Sequence, residues 1–211
     1  MSTGFIRRNR CGSWMNGSEN ASRNLQRKYT LNYFEIFILK DGMKCCIRNG
    51  VERDAQAALD HFLLTHGQTN YLLTYPDEPG FSISQECQYL KEKRNSKREI
   101  EIVAIIDRKI AGMAGINTVG STEKTRHRAE FGISIDKKYW GLGLGWKMTK
   151  VCIACARAAN YQQLELEVVA DNKRAISLYQ KAGFIEYGRN PRGFLSRTSG
   201  FQELVLMRLE L

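Results

Sequence analysis

The segment 139–145 (YWGLGLG) carries three glycines at alternate positions, Gly141, Gly143 and Gly145, between a predicted strand and a predicted helix. Glycine lacks a side chain and tolerates left-handed backbone, so neighbouring N–H groups can converge and a ligand can approach the backbone closely. Amides gathered at a helix N-terminus bind anions, and the helix dipole strengthens that binding. The segment therefore predicts a site for a phosphate or a diphosphate.

Two common nucleotide-binding patterns fit this segment less well. A P-loop requires G-x-x-x-x-G-K-[ST], whereas the residue after Lys147 is Met148. The dinucleotide-binding fingerprint requires G-x-G-x-x-G, whereas the spacing here is G-x-G-x-G. A tight turn that binds no ligand is the alternative interpretation of the glycines taken alone.

The elements that position this segment follow from apolar periodicity and from turn and cap residues. Strands are predicted at 44–49, 99–106, 109–119, 127–135, 163–170, 184–190 and 201–211. Helices are predicted at 55–65, capped by Asp54, at 84–95 starting from Ser84, at 143–159 and at 172–182. This order contains neighbouring hairpin strands and a strand–helix–strand crossover. It predicts a mixed α+β fold with one central sheet.

Two motifs in this order resemble those of the GNAT superfamily of N-acetyltransferases. The acetyl-CoA motif of that family reads Q/R-x-x-G-x-G/A, and Gly143 and Gly145 match its glycines. Trp140 stands where Gln or Arg is usual, at a position that acts mainly through its backbone in the family. The second signature reads N-x-x-A-x-x-L-Y-x-x-x-G-F, and its matches are Asn172, Ala175, Leu178, Tyr179, Gly183 and Phe184. The resemblance covers residues 44–211.

The resemblance implies a GNAT-type acyl-CoA N-acyltransferase fold. Its central sheet is mixed and mostly antiparallel, has helices on both faces, and splays between strands 127–135 and 163–170 so that a thioester can enter. The implied cosubstrate is acetyl-CoA, and no metal is expected. Backbone groups of Ile133, Ser134 and Ile135 would meet the pantetheine arm, with Asn172 beside it. The diphosphate would be held by Trp140, Gly141, Leu142, Gly143, Leu144 and Gly145.

The implied reaction is direct attack of an amine on the thioester carbonyl in a ternary complex. The amine must lose a proton first, and Glu130, on the strand before the glycine segment, is the candidate general base, acting directly or through water. A backbone N–H near Ile133 would stabilise the oxyanion. Tyr179 matches the family position of the general acid that protonates the departing thiolate. The alternative to a catalytic role is an exposed strand glutamate for Glu130 and a packed helix tyrosine for Tyr179.

The expected acceptor is a primary amine, either of a small molecule or of a protein N-terminus or lysine. Residues 66–83 and 191–200 are predicted to wall its site, with Asp77 and Glu78 available to hold a cation. Glu165 and Glu167 alternate along strand 163–170 and are expected on a solvated strand face, with a role as base or substrate contact as the alternative. A non-catalytic module that senses acyl-CoA or docks to a protein is the alternative function, and a homodimer is one expected assembly.

The chain is basic, with 32 Lys and Arg against 22 Asp and Glu, a formal charge of +10. A basic surface attracts polyanions, but no motif that interleaves aromatic and basic residues predicts nucleic-acid binding. Residues 1–42 hold seven basic and three acidic residues and are predicted to be a disordered extension or a leader, with a docking arm as the alternative. The acetyltransferase domain is then expected to span 43–211.

Cysteine spacing and hydropathy argue against two further kinds of feature, a cysteine metal or redox site and a membrane span. Cys152 and Cys155 form a C-x-x-C without a second pair or a nearby histidine, so they are predicted to be structural residues on a helix face. No apolar run approaches the roughly 18 residues of a membrane span. A cytoplasmic location is therefore expected.

Overall fold

Eight strands form one sheet in the computed structural model, which describes residues 31–120 and 122–211. The strands are β1 (Phe34–Ile38), β2 (Lys44–Asn49), β3 (Ile100–Ile106), β4 (Lys109–Thr118), β5 (Arg128–Ile135), β6 (Gln163–Val169), β7 (Ile185–Ser196) and β8 (Gly200–Glu210). The helices are α1 (Ala55–Gln68), α2 (Ile83–Asn95), α3 (Leu144–Ala158) and α4 (Lys173–Ala182). The order across the sheet is β1-β2-β3-β4-β5-β6-β8-β7. All neighbouring pairs are antiparallel except β5–β6, which confirms the predicted mixed, mostly antiparallel sheet.

The sheet opens between β5 and β6. These two strands pair in parallel at three positions only, of which Glu130 opposite Glu165 is the last. β5 then continues to Ile135 beside β4, and β6 continues to Val169 beside β8. Because the two strands are held together at one end only, they diverge toward their C-terminal ends. This confirms the predicted splay.

Helices cover both faces of the sheet because side chains alternate along each strand. On one face, buried side chains of β3 and β4 such as Ile102 and Ala114 pack with Met148 of α3. On the other face, Val103 and Met113 pack with α1 and α2. Complete burial of each large aliphatic side chain contributes roughly 1.5–3 kcal/mol. The apolar face of α3 therefore anchors that helix and fixes its first turn at the end of β5.

α1 begins after Asp54, as predicted, whereas α2 begins one residue before the predicted Ser84. Ser82, and not Ser84, caps α2: its hydroxyl accepts the Gln85 N–H, and the Gln85 side chain accepts the Ser82 N–H at 2.8 Å. Asp54 precedes α1, but its side chain makes no capping bond. Its carboxylate instead accepts two hydrogen bonds from Arg48, at 2.6 and 2.9 Å. This pair ties the end of β2 to the start of α1.

Part of the predicted extension belongs to the sheet, so the expected boundary at Met43 is wrong. β1 pairs with β2 along its whole length, from Phe34 opposite Arg48 to Ile38 opposite Lys44. Leu39, which follows β1, is only 3% exposed and joins the main core. The folded unit therefore includes residues 31–42. Residues 1–30, for which disorder is predicted, lie outside the described residues.

The predicted loop at 191–200 is mostly strand. β7 continues to Ser196 and turns directly into β8 at Gly200. The pairing between the strands is interrupted between Asn190 and Phe194, next to Pro191. Proline has no N–H to donate to a ladder, so it occurs at bulges and edges, and β7 is an edge strand. A bulge thus accommodates the proline, and the strand runs six residues beyond its predicted end at 190.

Candidate active site

A cavity of about 360 Å³ opens between the diverging strands β5 and β6. Its walls come from the end of β5, the glycine-rich segment, one face of α4, and the end of α1 with the loop that follows it. The predicted site residues that line it are Ile133, Ser134, Ile135, Trp140, Gly141, Gly143, Gly145, Asn172 and Tyr179. The fold therefore brings nine of the twelve predicted site residues to one cleft.

The glycine-rich segment adopts backbone conformations that suit glycine. Gly141 and Gly143 have φ of 86° and 92°, in the left-handed region, and Gly143 is the N-cap of α3. A Cβ at Gly145 would lie 3.1 Å from Leu178 Cδ1, so α4 packs directly on the backbone there. The N–H groups of residues 141–146 donate to no acceptor within residues 31–120 and 122–211. Six consecutive amides at a helix start are thus available to an anion.

Trp140 acts through its side chain. Its Nε1–H donates to the Ile135 carbonyl at 2.8 Å, which fastens the glycine-rich segment to the end of β5. The Arg174 guanidinium lies 5.4 Å from the centre of the indole ring. This side-chain contact is additional to the backbone role that the resemblance implies for the position.

The cavity is electropositive. Of the described residues that line it, Lys40, Arg174 and Lys181 are charged, and none is acidic. Two of these cations flank the glycines: Arg174 Nη2 lies 3.2 Å from the position of a Cβ on Gly141, and Lys40 lies beside Gly143. Clefts lined by one sign of charge concentrate ligands of the opposite sign. The cavity therefore suits a ligand that carries phosphates.

Leu142 and Leu144 place their side chains outside the cavity lining. Leu144 is fully buried in the main core beneath α3. The Leu142 carbonyl accepts the Lys40 N–H at 3.2 Å. Both residues can serve a diphosphate only through their backbone amides.

Tyr179 lies buried at the cavity wall. Its ring packs edge-on against Phe131, with ring centres 6.1 Å apart, and against Phe184 at 5.9 Å. Burial raises the pKa of Tyr179 well above its ordinary value, so the phenol keeps its proton. No hydrogen bond joins its hydroxyl to any residue in the described part of the chain. The side chain is therefore a protonated donor beside the cleft.

Glu130 lies deeper in the gap and does not line the cavity. It is half-buried on β5, between Asn117 of β4 and Glu165 of β6. Ser134, four residues further along the same strand, does line the cavity. At about 3.3 Å per residue, the two Cα atoms are about 13 Å apart. Glu130 is therefore placed to exchange a proton with the cavity only through water.

Residues 67–184, more than half of the chain, match the model of the acetyltransferase (GNAT) family. The chain belongs to the GNAT family. Among curated proteins it is similar to N-alpha-acetyltransferase 30 of Schizosaccharomyces pombe, with 32% identity over 73 residues, which is 35% of this chain and 49% of that protein. It is also similar to the L-amino acid N-acetyltransferase AaaT of Escherichia coli, with 32% identity over 85 residues, 40% of this chain and 52% of that protein. The chain thus spans about half the length of these relatives.

Solved structures support the same fold for this GNAT chain. An acetyltransferase of the GNAT family from Streptococcus pneumoniae superposes with a TM-score of 0.76 at 27% identity, covering 79% of this chain and 99% of that one. The structure of yncA from Salmonella typhimurium, determined with its cofactor acetyl-CoA, superposes with a TM-score of 0.70 at 17% identity, covering 79% and 94%. The second likeness shows the fold alone.

His61 and Ser134 form a pair that the sequence interpretation missed. His61 Nε2 lies 3.0 Å from Ser134 Oγ, and Nδ1 lies 3.2 Å from the Ile110 carbonyl oxygen. Because a carbonyl only accepts, Nδ1 carries the proton and Nε2 accepts from the serine hydroxyl. Burial lowers the pKa of His61 to about 4, so the ring is neutral near pH 7. This GNAT domain therefore holds the Ser134 hydroxyl in one orientation at the cavity wall.

The buried His61 predicts a loss of stability in acid. An unfolded histidine titrates near pH 6.5, whereas His61 titrates near 4 in the folded state. Between these values the unfolded chain binds more protons, so the free energy of unfolding falls as pH falls through that window. We expect it to be about 2 kcal/mol lower at pH 5 than at pH 7 from this residue alone. Urea unfolding of the wild type and His61→Gln at both pH values measures the difference.

A matched control for this experiment is His127→Gln, because His127 is only half-buried. The control keeps the buried His61, so it should keep the acid destabilisation of about 2 kcal/mol that His61→Gln loses. The same pH dependence in all three proteins would contradict the role assigned to His61.

The cavity wall formed by the end of α1 and the loop after it is uncharged. Thr65, Thr69, Tyr71 and Leu72, from the end of α1 and the following loop, form this wall together with Ser134. Thr69, Tyr71 and Leu72 belong to the 66–83 segment, which is predicted to wall the acceptor site. None of residues 191–200 lines the cavity; the β7–β8 turn instead packs against the outside of that loop.

Asp77 and Glu78 are not positioned to hold a substrate cation. Asp77 forms an ion pair with Arg197 of the β7–β8 turn, at 2.7 and 2.8 Å. The Glu78 carboxylate accepts the Tyr75 N–H at 2.9 Å. Neither side chain lines the cavity. The two acids hold the loop in place, and the predicted cation-holding role is not supported.

Glu165, expected on a solvated face, is buried and paired. It is 8% exposed, and its carboxylate accepts two hydrogen bonds from Arg128, one of them at 2.6 Å. Both residues belong to the short parallel pairing of β5 with β6. The ion pair lies at the closed end of the gap, where it holds the two strands together.

Three further features were considered from the sequence: the C-x-x-C cysteines, a metal site and a membrane span. Cys152 and Cys155 are buried free thiols on α3, and burial raises the pKa of Cys155 to about 11. Within the described ranges, no group of three or more His, Cys, Asp or Glu side chains could hold a metal ion. Helices in the same ranges are all too short or too polar to cross a bilayer.

Proposed function

We propose that this chain transfers an acetyl group from acetyl-CoA to a primary amine by direct attack in a ternary complex. The observation that carries the proposal is the row of unbonded amides at residues 141–146, placed at the mouth of an electropositive gap between β5 and β6. That arrangement suits the diphosphate of a thioester carrier. It would hold the carrier so that its pantetheine arm enters the gap.

The pantetheine is proposed to run along the free edge of β5. Residues 133–135 have β4 on one side and the cavity on the other. An extended arm can therefore bond to their backbone as an added strand would. Asn172 lines the opposite wall, where its Oδ1 already accepts the Ala175 N–H at 3.2 Å as the cap of α4. Its amide nitrogen remains as a donor for the arm.

The chemical step needs three groups. The amine loses a proton, which we assign to Glu130 through intervening water because the carboxylate does not line the cavity. The amine lone pair then attacks the thioester carbonyl, and the oxyanion is stabilised by a backbone N–H near Ile133. When the carbon–sulfur bond breaks, the Tyr179 hydroxyl donates its proton to the thiolate. The buried, protonated state of that phenol supports the assignment.

The acceptor wall favours amines that carry little other positive charge. Polyamines and aminoglycosides need carboxylates to hold their additional cations, whereas every charged described residue at the cavity is basic. The α-amine of an amino acid or of a peptide fits an uncharged wall better. The names of two relatives, N-alpha-acetyltransferase 30 and L-amino acid N-acetyltransferase AaaT, support this class of acceptor.

A thiol-release assay with acetyl-CoA tests the proposal directly. The panel should contain amino acids, peptides with a free N-terminus, lysine peptides blocked at the N-terminus, polyamines and aminoglycosides. We expect CoA release with at least one amino acid or peptide N-terminus, and at least tenfold lower kcat/KM with polyamines, on the order of one lost ion-pair contact. Tight CoA binding without turnover of any amine would instead support the non-catalytic acyl-CoA sensor.

A further inference from the structure

We propose that Lys40, on the turn between β1 and β2, binds the diphosphate of the CoA carrier. The inference rests on the proposed function, because it assigns a further residue to the same anion site. Lys40 lies outside the residues matched by the family model and precedes the region of motif resemblance. The site would thus include an element from the N-terminal hairpin.

The β1–β2 hairpin docks directly on the glycine-rich segment. The Lys40 N–H donates to the Leu142 carbonyl at 3.2 Å. The side chain then runs past the N-cap of α3, with Cγ and Cε both 3.9 Å from the position of a Cβ on Gly143. Lys40 also lines the cavity. Its ammonium group, one bond beyond Cε, therefore lies near Gly143, within the unbonded amide row.

A second contact fixes the hairpin on α3. Lys147, one turn into the helix, forms an ion pair with Glu35 of β1, and its ammonium lies 5.8 Å from the centre of the Phe37 ring. Leu39 is buried in the main core beside these contacts. The strand that leads to Lys40 is thus fixed on α3, and this places the Lys40 backbone beside the glycine-rich segment.

Lys40 has no carboxylate partner among residues 31–120 and 122–211. The nearby Glu35 pairs with Lys147, and the Asp41 carboxylate accepts the Met43 N–H at 3.1 Å. Arg174 lies beside the same segment two residues earlier, at Gly141. The glycine-rich segment thus has two cations beside it, and a diphosphate bound there would meet both positive charges. Charge-assisted hydrogen bonds of this kind are the strong ones.

Calorimetric titration of CoA and of 3′-dephospho-CoA into Lys40→Gln tests the assignment. Both ligands keep the diphosphate, so we expect both dissociation constants to rise about tenfold, the size of one charged hydrogen bond. The slope of log Kd against log salt should also become shallower, because one cation fewer meets the ligand. Weakening of CoA alone would place Lys40 at the 3′-phosphate and overturn the diphosphate assignment.

Two variants separate charge from hairpin structure. Lys40→Arg keeps the cation and should bind within about threefold of the wild type. Lys44→Gln removes an exposed lysine from the same hairpin, outside the cavity lining, and should bind both ligands as the wild type does. Equal binding by the wild type and Lys40→Gln would overturn this inference alone. Failure of the wild type to bind either ligand would instead overturn the proposed function.

Discussion

Gly143→Glu is expected to weaken CoA binding by at least about 100-fold, the loss that follows when a diphosphate loses its amides and meets a like charge. The side chain would start at the N-cap of α3, where residues 141–146 have unbonded N–H groups. A carboxylate at a helix N-terminus is itself attracted by those amides and by the dipole. The carboxylate would occupy the anion site, form an ion pair with the nearby Lys40, and repel the phosphates. Calorimetric titration of CoA measures the loss.

The left-handed backbone at Gly143 requires a control for strain. Any side chain there costs about 1–2 kcal/mol because φ is 92°. A Cβ itself has room, since the nearest atoms are those of Lys40 at 3.9 Å. Gly143→Ala should therefore lose some stability and bind CoA within about tenfold of the wild type. The Ala variant thus separates backbone strain from occupation of the anion site.

Gly200→Glu provides a second control, because it puts the same residue on a left-handed backbone elsewhere. Gly200 has φ of 71°, nothing lies within 4 Å of its Cβ position, and it belongs to the β7–β8 turn. The Gly200→Glu variant should lose stability as Gly143→Glu does, and it should bind CoA with wild-type affinity. Wild-type affinity in a folded Gly143→Glu protein would show that the glycine-rich segment is not the diphosphate site.

The features that the sequence predicts well are local ones. The alternating strands at 99–106, 109–119 and 163–170 agree with β3, β4 and β6 to within one residue at each end. Gly183 ends α4 in a left-handed conformation, as its position after the apolar helix face indicates. Each of these patterns depends on neighbours in the chain, so one sequence is enough to read it.

The features that escape prediction depend on partners distant in sequence. His61 and Ser134 are 73 residues apart, and Arg197 and Asp77 are 120 apart. A lone histidine on the buried face of a helix gives no sign of which hydroxyl it will meet. In the sequence, Asp77 is a loop carboxylate with no evident partner, whereas in the fold the β7–β8 turn places the Arg197 guanidinium beside it. Side-chain pairing of this kind is decided by tertiary packing.

The N-terminal boundary illustrates the same limit. The apolar run 32–39 is short, and its pairing partner among the described residues, β2, follows after a turn at Asp41 and Gly42. Because the residues before that run are mostly polar, the composition of residues 1–42 as a whole predicts a disordered extension. Yet β1 completes the edge of the sheet, and its turn carries a cation to the α3 N-terminus. Composition alone therefore placed β1 outside the folded domain, although β1 packs in the sheet beside the candidate site.

Tyr179→Phe is expected to lower kcat about 10²-fold, within the range for loss of a general acid, with CoA affinity changed less than about twofold. The substitution removes only the hydroxyl, and the ring contacts with Phe131 and Phe184 remain. Burial keeps the pKa of Tyr179 well above its ordinary value, so the wild-type rate should not fall at alkaline pH through titration of this group. Steady-state kinetics with the best amine of the panel, together with CoA titration, measures both quantities.

The control for the lost hydroxyl is Tyr161→Phe. Tyr161 is also buried, and its hydroxyl bonds to Thr118 at 2.8 Å, outside the cavity lining. It should lose stability by about 1 kcal/mol through that hydrogen bond and keep the wild-type kcat. If Tyr179→Phe retains the full kcat across pH 6–9, the thiolate receives its proton from another donor, such as water in the gap. If instead kcat and CoA affinity fall together, the hydroxyl acts in binding and not as the acid.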